Sequence, residues 1–363
     1  MSCAAIIVNY RTAALTVGAV QSLAAHPACS EIHVVDNSLQ ADEAAYLRQH
    51  LPAPVKLHVA EDNLGFAGGC NLAFERCHSE YVLLLNPDAR LLPHALQKLL
   101  ACLNEHPGAA AVGPRIFWDD ARRFLLPPTT FPGRPEYVFD QLAGRFAALG
   151  HLRAALFRRK SLKQWRATRA FPVAALSGGH VLLRRSAVEQ AGGLFDPAFF
   201  MYWEDSDLMR RLRDAGYALL LEPEATCIHH YDHHPGKDRL ISEGWPAYAA
   251  KHFAGWGWRA FDRLLGRLKP AATETAGWPV LDLDGGDVAI PVPPILQTGW
   301  LLEFSPAPSF VPSMGQFGEG SVATIAATCA SHFRGRDYYV RLSPPTDSPS
   351  PCLRFVARHA AES

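Results

Sequence analysis

Residues 203–207, Trp203-Glu204-Asp205-Ser206-Asp207, set an indole and three carboxylates within five positions. Leu208, Met209, Leu212 and Ala215 follow at helical spacing and Gly216 offers a stop, so the acids are expected in the first turn or cap of a helix. There the unpaired amides and the macrodipole favour negative charge by roughly 0.3–1 kcal/mol, which predicts ionised carboxylates at neutral pH. An ionised carboxylate in this place suits removal of a proton from a hydroxyl, and Tyr202 and Trp203 offer apolar faces to a sugar ring. Capping accounts for the same residues equally well, with Asp207 paired to Arg210 or Arg211 one helical turn on.

Three further clusters carry chemistry. Asn86-Pro87-Asp88 follows the apolar run Tyr81–Leu85, which offers Asp88 to a hard cation. Magnesium needs only one or two carboxylates when a substrate phosphate supplies the other oxygens, although the three residues also compose an ordinary turn. The segment Asp62-Asn63-Leu64-Gly65-Phe66-Ala67-Gly68-Gly69-Cys70-Asn71 reads as a glycine-rich loop entering a helix, where backbone amides approach a diphosphate, or as a plain loop. It lacks the Gly-Lys-Ser/Thr of a P-loop and the dinucleotide fingerprint. Cys227-Ile228-His229-His230-Tyr231-Asp232-His233-His234 concentrates four histidines, of which His229 is expected to join a metal held by Asp88. A zinc site of its own is the other use of such a cluster.

The elements that must position these groups alternate from the first residues onward. Ala4–Val8, Glu31–Val35, Val55–Ala60 and Tyr81–Leu85 are β-rich, and Thr12–Ala25, Ala41–His50, Gly69–Cys77 and Pro93–Asn104 are amphipathic. That alternation predicts βαβ units around a mostly parallel sheet flanked by helices. In such sheets ligands bind beyond the carboxyl ends of the strands. The residues there are polar: Asn9-Tyr10-Arg11, Asp36-Asn37-Ser38, Asp62-Asn63 and Asn86-Pro87-Asp88, a set suited to a nucleotide.

Residues 145–169 form a basic amphipathic segment containing Arg153, Arg158, Arg159, Lys160, Lys163, Arg166 and Arg169. It reads either as a surface for anionic lipid or a lipid-linked diphosphate, or as a solvated helix face. Trp256–Lys269 repeats the pattern. A first domain is expected over 1–268 and a linker over 269–279, followed by a small β-rich domain over 280–363 with no assignable motif.

The 35 basic and 35 acidic residues balance, so no global field draws the chain to nucleic acid. Eight cysteines without a Cys-x-x-Cys pair predict reduced thiols, and no apolar stretch approaches membrane-spanning length. Together with an N-terminus that lacks a basic n-region, these features predict a cytoplasmic location, with at most peripheral contact at the cytoplasmic membrane face.

In order and spacing, Val8-Asn9-Tyr10, Val35-Asp36-Asn37-Ser38, Asn63–Asn71, Leu85-Asn86-Pro87-Asp88, Ser177-Gly178-Gly179, Gly193-Leu194-Phe195-Asp196, Trp203–Asp207 with Arg211, and His229 resemble the family 2 nucleotide-sugar glycosyltransferases, especially their rhamnosyltransferase-like branch. The resemblance covers about residues 4–260. It implies an α/β GT-A fold. Donor contacts would come from Asn9, Tyr10, Arg11, Asp36, Asn63, Gly65, Phe66 and Asn86. Mg2+ or Mn2+ would sit on Asp88 and His229. Asp205 would be the general base of an inverting transfer, with Trp203 and Glu204 beside the acceptor. The implied donor is dTDP-L-rhamnose, with UDP-sugars as the alternative, and the implied acceptor is a saccharide on a lipid-linked surface-polysaccharide intermediate. Asn86 stands where the family's metal motif has a first aspartate, which leaves more of the coordination to Asp88. The competing readings are a sugar-nucleotide nucleotidyltransferase, a zinc hydrolase on the histidine cluster, and a non-catalytic nucleotide-sugar or polysaccharide-binding protein. The first would carry a basic glycine-rich loop after the first strand, where Asn9-Tyr10-Arg11-Thr12 stands instead.

Overall fold

Cys3–Asn9 is buried from end to end, as a strand with helices on both faces must be, and it forms the middle of the main sheet. The computed structural model describes residues 2–359 apart from 132, 231–236, 272–274, 285, 331 and 333–335. Its first part runs β1 (Cys3–Asn9), α1 (Ala13–Ala24), β2 (Cys29–Asp36), α2 (Ala41–His50), β3 (Lys56–Val59), α3 (Gly65–Arg76), β4 (Tyr81–Leu85), β5 (Ala89–Leu91), α4 (Ala95–Glu105) and β6 (Ala109–Phe117). It continues through α5 (Arg134–Ala143), α6 (Ala147–Trp165), β7 (Phe171–Pro172), β8 (His180–Arg184), α7 (Arg185–Gln190), α8 (Glu204–Asp214), β9 (Ala218–His229), α9 (Lys237–His252) and α10 (Trp256–Leu265).

The nine-stranded sheet has the order β3-β2-β1-β4-β8-β6-β9-β5, with β7 beside β9. β1 to β4 are mutually parallel, β8 is antiparallel to both β4 and β6, and β6 and β9 run together. Six strands therefore share one direction in a mixed α/β sheet. Separate apolar cores fill its two faces, one containing α1 and α4, the other α3, α7 and α8. The alternation expected over the first hundred residues is present with ends within two residues, except at the glycine-rich segment.

That segment is helix rather than loop. α3 begins at Gly65, and its glycines serve packing: a Cβ on Gly69 would stand 2.9 Å from Val8 Cγ1, and one on Gly65, at φ +68°, would stand 2.2 Å from the Phe200 carbonyl oxygen.

From Val280 onward come β10 (Val280–Asp282), β11 (Val288–Pro291), β12 (Trp300–Ser305), β13 (Met314–Gly318), β14 (Val322–Ile325), a short helix over Ala327–Ala330, β15 (Tyr338–Ser343) and β16 (Leu353–Arg358). They build a five-stranded sheet, β10-β16-β15-β12-β13, and the pair β11-β14. The apolar core of this β-rich unit takes in Trp118 and Phe124 from the first part, and Leu125 exchanges backbone hydrogen bonds with Gly315. We propose 269–279 as a boundary along the chain; the packing runs across it.

α6 is the bolt between the two parts. Arg158 on α6 is 2% exposed and ion-pairs with Glu303 on β12, which Arg341 of β15 grips through two nitrogens at 2.7 and 2.9 Å. Arg153 pairs with Asp140, Arg159 with Asp347, and Lys160 and Arg166 donate to the carbonyls of Thr129 and Pro345. Five of the seven cations expected to face lipid are thus engaged with protein. Arg158 is thus turned into the protein rather than toward lipid or solvent, while Arg153 and Arg159 pair on the exposed surface.

Candidate active site

The dipeptide Gly178-Gly179, in the loop before β8, touches both halves of the site. The Gly178 N–H donates to Asp205 Oδ2 at 3.1 Å, and the Gly179 carbonyl accepts the Asn86 N–H at 2.7 Å. Neither position has room for a side chain: a Cβ on Gly178 would lie 3.1 Å from Asp205 Cβ, and one on Gly179 would lie 2.6 Å from the Asn86 amide nitrogen. These glycines had no role assigned from sequence. Their signal was the Ser-Gly-Gly run directly ahead of a buried strand.

On the Asn86 side, the turn over Asn86–Ala89 closes with a hydrogen bond from the Ala89 N–H to the Asn86 carbonyl and delivers Asp88 to the start of β5. β5 pairs antiparallel with β9 in the register Ala89 with His229, and that register brings Asp88 Oδ1 to 3.2 Å from His229 Nε2. Burial would raise the Asp88 pKa, but the hydrogen bond and charge of His229 hold it below the ordinary carboxylate range. The His180 ring lies 5.4 Å from that of His229, and burial, then His229, pushes its pKa down to about 3. Among the described residues no group of three or more histidine, cysteine or acidic side chains is arranged to hold a metal. Tyr231, Asp232, His233 and His234 lie outside the described residues.

On the other side, α8 starts at Glu204 as the spacing predicts, but its acids do not cap it. Trp203 is the N-cap residue, and it and Tyr202 both adopt left-handed backbone, φ 73° and 68°. Two consecutive bulky residues in that region cost about 1–3 kcal/mol each and mark the helix entrance as a place held under strain. Asp205 turns away to Gly178, and its Oδ1 accepts the Ser206 N–H at 2.6 Å. Burial raises the Asp205 pKa against these hydrogen bonds. Glu204, 5% exposed with Oε2 unpaired, is pushed up to about 8 by burial and then by the charge of Asp205. The ionisation expected from the helix dipole is therefore reversed, because desolvation outweighs a dipole of at most about 1 kcal/mol. Burial thus favours the protonated form of both acids.

Asp207 behaves differently. Fully buried, it accepts Arg211 Nε, Lys251 Nζ and His252 Nε2, each at 2.8 Å. Burial alone would raise its pKa, yet these partners, Lys251 and Arg211 foremost, hold it below the ordinary range. Arg211 also donates to the carbonyls of Ala191, Gly193 and Leu194, tying α8 to the segment after α7.

Trp203 donates its indole N–H to the Ile241 carbonyl at 2.8 Å and packs against Trp245 and Tyr248 of α9. With Ser206, it lines a cavity of 560 Å³ between α5 and α9. Glu204 is buried and is not among the residues that line it, whereas Ser206 is.

At the ends of β1 and β2, Asn9 is fully buried and spent on the protein: its amide nitrogen donates to Asp36 and Glu43, and its oxygen accepts from Thr12 and Thr16. This corrects Asn9 from donor contact to support. Asp36 keeps Oδ2 unpaired although only 1% of the residue is exposed. Tyr10 is exposed, with Arg11 stacked on its ring at 5.1 Å. Asn63 accepts the Gly65 N–H, Asn37 binds the Gly65 carbonyl, and Phe66 packs on Phe195. The residues expected to contact a donor thus gather at one sheet edge, with Asn37, unassigned from sequence, as the link between β2 and α3.

Residues 4–166 match the model of Glycosyl transferase family 2. This stretch is a glycosyltransferase family 2 domain. It contains Asp36, the glycine-rich helix start and Asp88, and it ends before Gly178, Asp205 and His229. An N-acetylglucosaminyl-diphospho-decaprenol L-rhamnosyltransferase of Mycobacterium tuberculosis is 32% identical over 191 residues, 50% of this chain and 58% of that protein. The chain therefore spans just over half the length of that curated relative. Among solved structures, the mannosyltransferase PcManGT from Pyrobaculum calidifontis with GDP-Man and Mn2+ has a TM-score of 0.43 at 16% identity, covering 74% of this chain and 65% of that one. S. aureus TarS 1–349 with UDP-GlcNAc has a TM-score of 0.43 at 14% identity, covering 64% and 60%. Alongside the family 2 domain, all eight cysteines are free, and no helix among the described residues is long and apolar enough to cross a membrane.

Proposed function

We propose that the chain is an inverting glycosyltransferase that moves L-rhamnose from dTDP-L-rhamnose to a hydroxyl of a lipid-linked saccharide. The observation that carries this reading is the shared glycine pair: one loop anchors Asp205, a carboxylate with no cation partner among the described residues, and the turn that presents Asp88 beside His229. The donor and acceptor rest on the rhamnosyltransferase similarity. The unpaired Asp36 Oδ2 supports a contact to the nucleobase, because a buried acceptor without a partner favours an N–H donor from a ligand.

In the reaction Asp205 takes the proton from the acceptor hydroxyl as that oxygen bonds to the anomeric carbon. The bond from that carbon to the diphosphate breaks, and the nucleoside diphosphate leaves with the electron pair. Glu204, pushed up to about 8, favours its protonated form, and Asp205 with its two backbone hydrogen bonds is the member suited to carry the charge. Asp88 and His229 fit a divalent cation when substrate phosphate oxygens complete its shell, and such a cation would neutralise the departing diphosphate. Gly178 holds the base in place, and Trp203 and Ser206, its near neighbours in the chain, line the 560 Å³ cavity.

Asp205→Asn is expected to lower turnover by about 10²–10⁴-fold while nucleotide affinity is retained. Near-normal turnover would sink the assignment. Asp88→Ala, or EDTA, is expected to weaken donor binding, and an unchanged affinity would remove the cation from the reaction. Release of nucleoside diphosphate rather than pyrophosphate separates transfer from nucleotidyl exchange.

A further inference from the structure

The two basic amphipathic segments, far apart in the chain, meet in the fold. Arg145 donates from Nε to the Leu265 carbonyl at 2.8 Å across 120 positions, and the Ala271 N–H reaches the Gly144 carbonyl at 2.9 Å. The start of α6 is thereby joined to the end of α10. Phe146 and Leu264, the chain neighbours of the first bond, are both exposed, and so is Leu268 one turn on. Along α6, Phe157, Arg158, Ser161, Leu162 and Trp165 turn to the protein. Ala148, Leu152, Ala155, Leu156, Arg159 and Lys163, recurring every three or four residues, form one exposed stripe. A helix at the surface of a globular chain ordinarily shows water a polar face. Here the first half of the outward stripe is apolar and the second half cationic. Five of the fifteen large apolar side chains that the described residues expose fall in these two segments, which sets this face apart from a scatter of surface leucines.

The charge around them is of one sign. Residues 144–170 contain no aspartate or glutamate. The acids that approach are occupied: Asp140 by Arg153, Asp347 by Arg159, and Asp262 by the Tyr137 hydroxyl. Among the described residues, Lys163, Arg166, Arg169, Arg263, Arg267 and Lys269 are exposed with no carboxylate partner. Lys163 lies 5.9 Å from the centre of the Phe171 ring and Arg166 donates to the Pro345 carbonyl, contacts that leave both charges uncompensated.

We infer that this face, the outward stripe of α6 with the end of α10, docks the protein on an anionic lipid bilayer. Phe146 and the leucines enter the boundary of the acyl chains, and the cations meet the headgroups. Exposed apolar side chains next to unpaired cations are what interfacial binding requires. The sign of the charge selects the occupant, since a second copy would set these cations against their own kind, whereas an anionic leaflet attracts each of them. The inference stands on this surface alone and uses neither the donor nor the acceptor of the proposed transfer.

The test is flotation of the full chain with vesicles of phosphatidylcholine alone and of phosphatidylcholine and phosphatidylglycerol in equal parts. Three cations near the headgroups, at about fivefold each, give an expected preference of about a hundredfold for the anionic vesicles. Raising the salt from about 0.1 to about 1 M shortens the screening length from about 10 to about 3 Å and should remove most of that preference. Leu152→Ser with Leu156→Ser changes exposed positions only, so the melting temperature should stay that of the parent while binding falls about tenfold or more. Lys163→Gln with Arg263→Gln and Arg267→Gln should lose the preference for anionic lipid and little else. Ile295→Ser, which takes an exposed apolar side chain from the β-rich unit, should bind as the parent does. Absence of flotation, equal binding to both vesicles, or an equal loss in Ile295→Ser would each overturn the inference. A parent that sediments as a dimer, becomes a monomer in the double leucine variant and ignores vesicles would make the face a contact between copies instead. Because no nucleotide sugar enters the experiment, failure of the transfer reading leaves its result unchanged.

Discussion

Buried carboxylates occur in two kinds of company in this molecule. Glu303, between α6 and the five-stranded sheet, is enclosed by two guanidinium groups, and Asp207 is held by Arg211, Lys251 and His252. Among the described residues, Glu204 and Asp205, on the same turn of α8 as Asp207, form no ion pair, and Asp205 accepts from a glycine amide and from Ser206. The first kind is neutralised and binds elements together. In the second kind, desolvation outweighs the hydrogen bonds that oppose it and the pKa moves up toward the range where proton transfer is useful. What separates a structural acid from a chemical one here is the charge around it, since burial is common to both.

The largest stability effect is expected where that charge is most enclosed. Glu303→Gln leaves the guanidinium groups of Arg158 and Arg341 buried without their anion, which costs about 3–5 kcal/mol. Chemical denaturation should show this, while the folded fraction keeps its turnover. A loss under about 1 kcal/mol would break the claim that this carboxylate joins the two parts. Asp207→Asn should cost less, about 1–3 kcal/mol, because Arg211 retains three carbonyl acceptors. The depressed pKa of Asp207 sets the sign: its stabilisation is present above the unfolded aspartate range and is lost as pH falls through the folded value. The deficit of the variant should therefore close below about pH 4. A deficit that stays constant into acid would mean that Asp207 acts through shape rather than charge.

Much of this was legible before any coordinates. Apolar runs bounded by polar residues located β1 to β4 and their helices, and the residues after each strand proved to share one edge. The meeting of Asp88 with His229, 141 positions apart, was expected from the resemblance; the register that achieves it, Ala89 against His229, was not readable. Local reasoning failed where a distant element decides the environment. Asn9 was read as a ligand contact because it ends a strand, but the neighbours that consume its hydrogen bonds come from α1, α2 and β2. Arg158 was read with its neighbours as a surface because the unit that covers it begins more than a hundred residues later. The glycines after Asn63 were read as a loop, since spacing alone does not reveal that Val8 and Phe200 press against them.

A difference that vanishes near pH 4 and grows with pH sharpens the comparison most, because it separates two acids that are neighbours in the chain. The folded pKa of Glu204 is about 8, above the ordinary glutamate value, so folding favours its protonated form. Its contribution is complete below the unfolded pKa and is eroded as pH rises toward 8, since the folded chain still holds a proton that the unfolded chain has released. Glu204→Gln keeps the shape and cannot ionise. It should match the parent near pH 4 and become progressively more stable relative to it up to pH 8, by about 1 kcal/mol or more. Thermal melts of the two proteins across that range measure the divergence, and a difference that is flat with pH would show that Glu204 is not the protonated member. The same variant should retain transfer, since Asp205 keeps its charge and its Gly178 anchor. If turnover collapsed in Glu204→Gln and survived in Asp205→Asn, the roles of the pair would be exchanged, and the base would be the acid that faces the core.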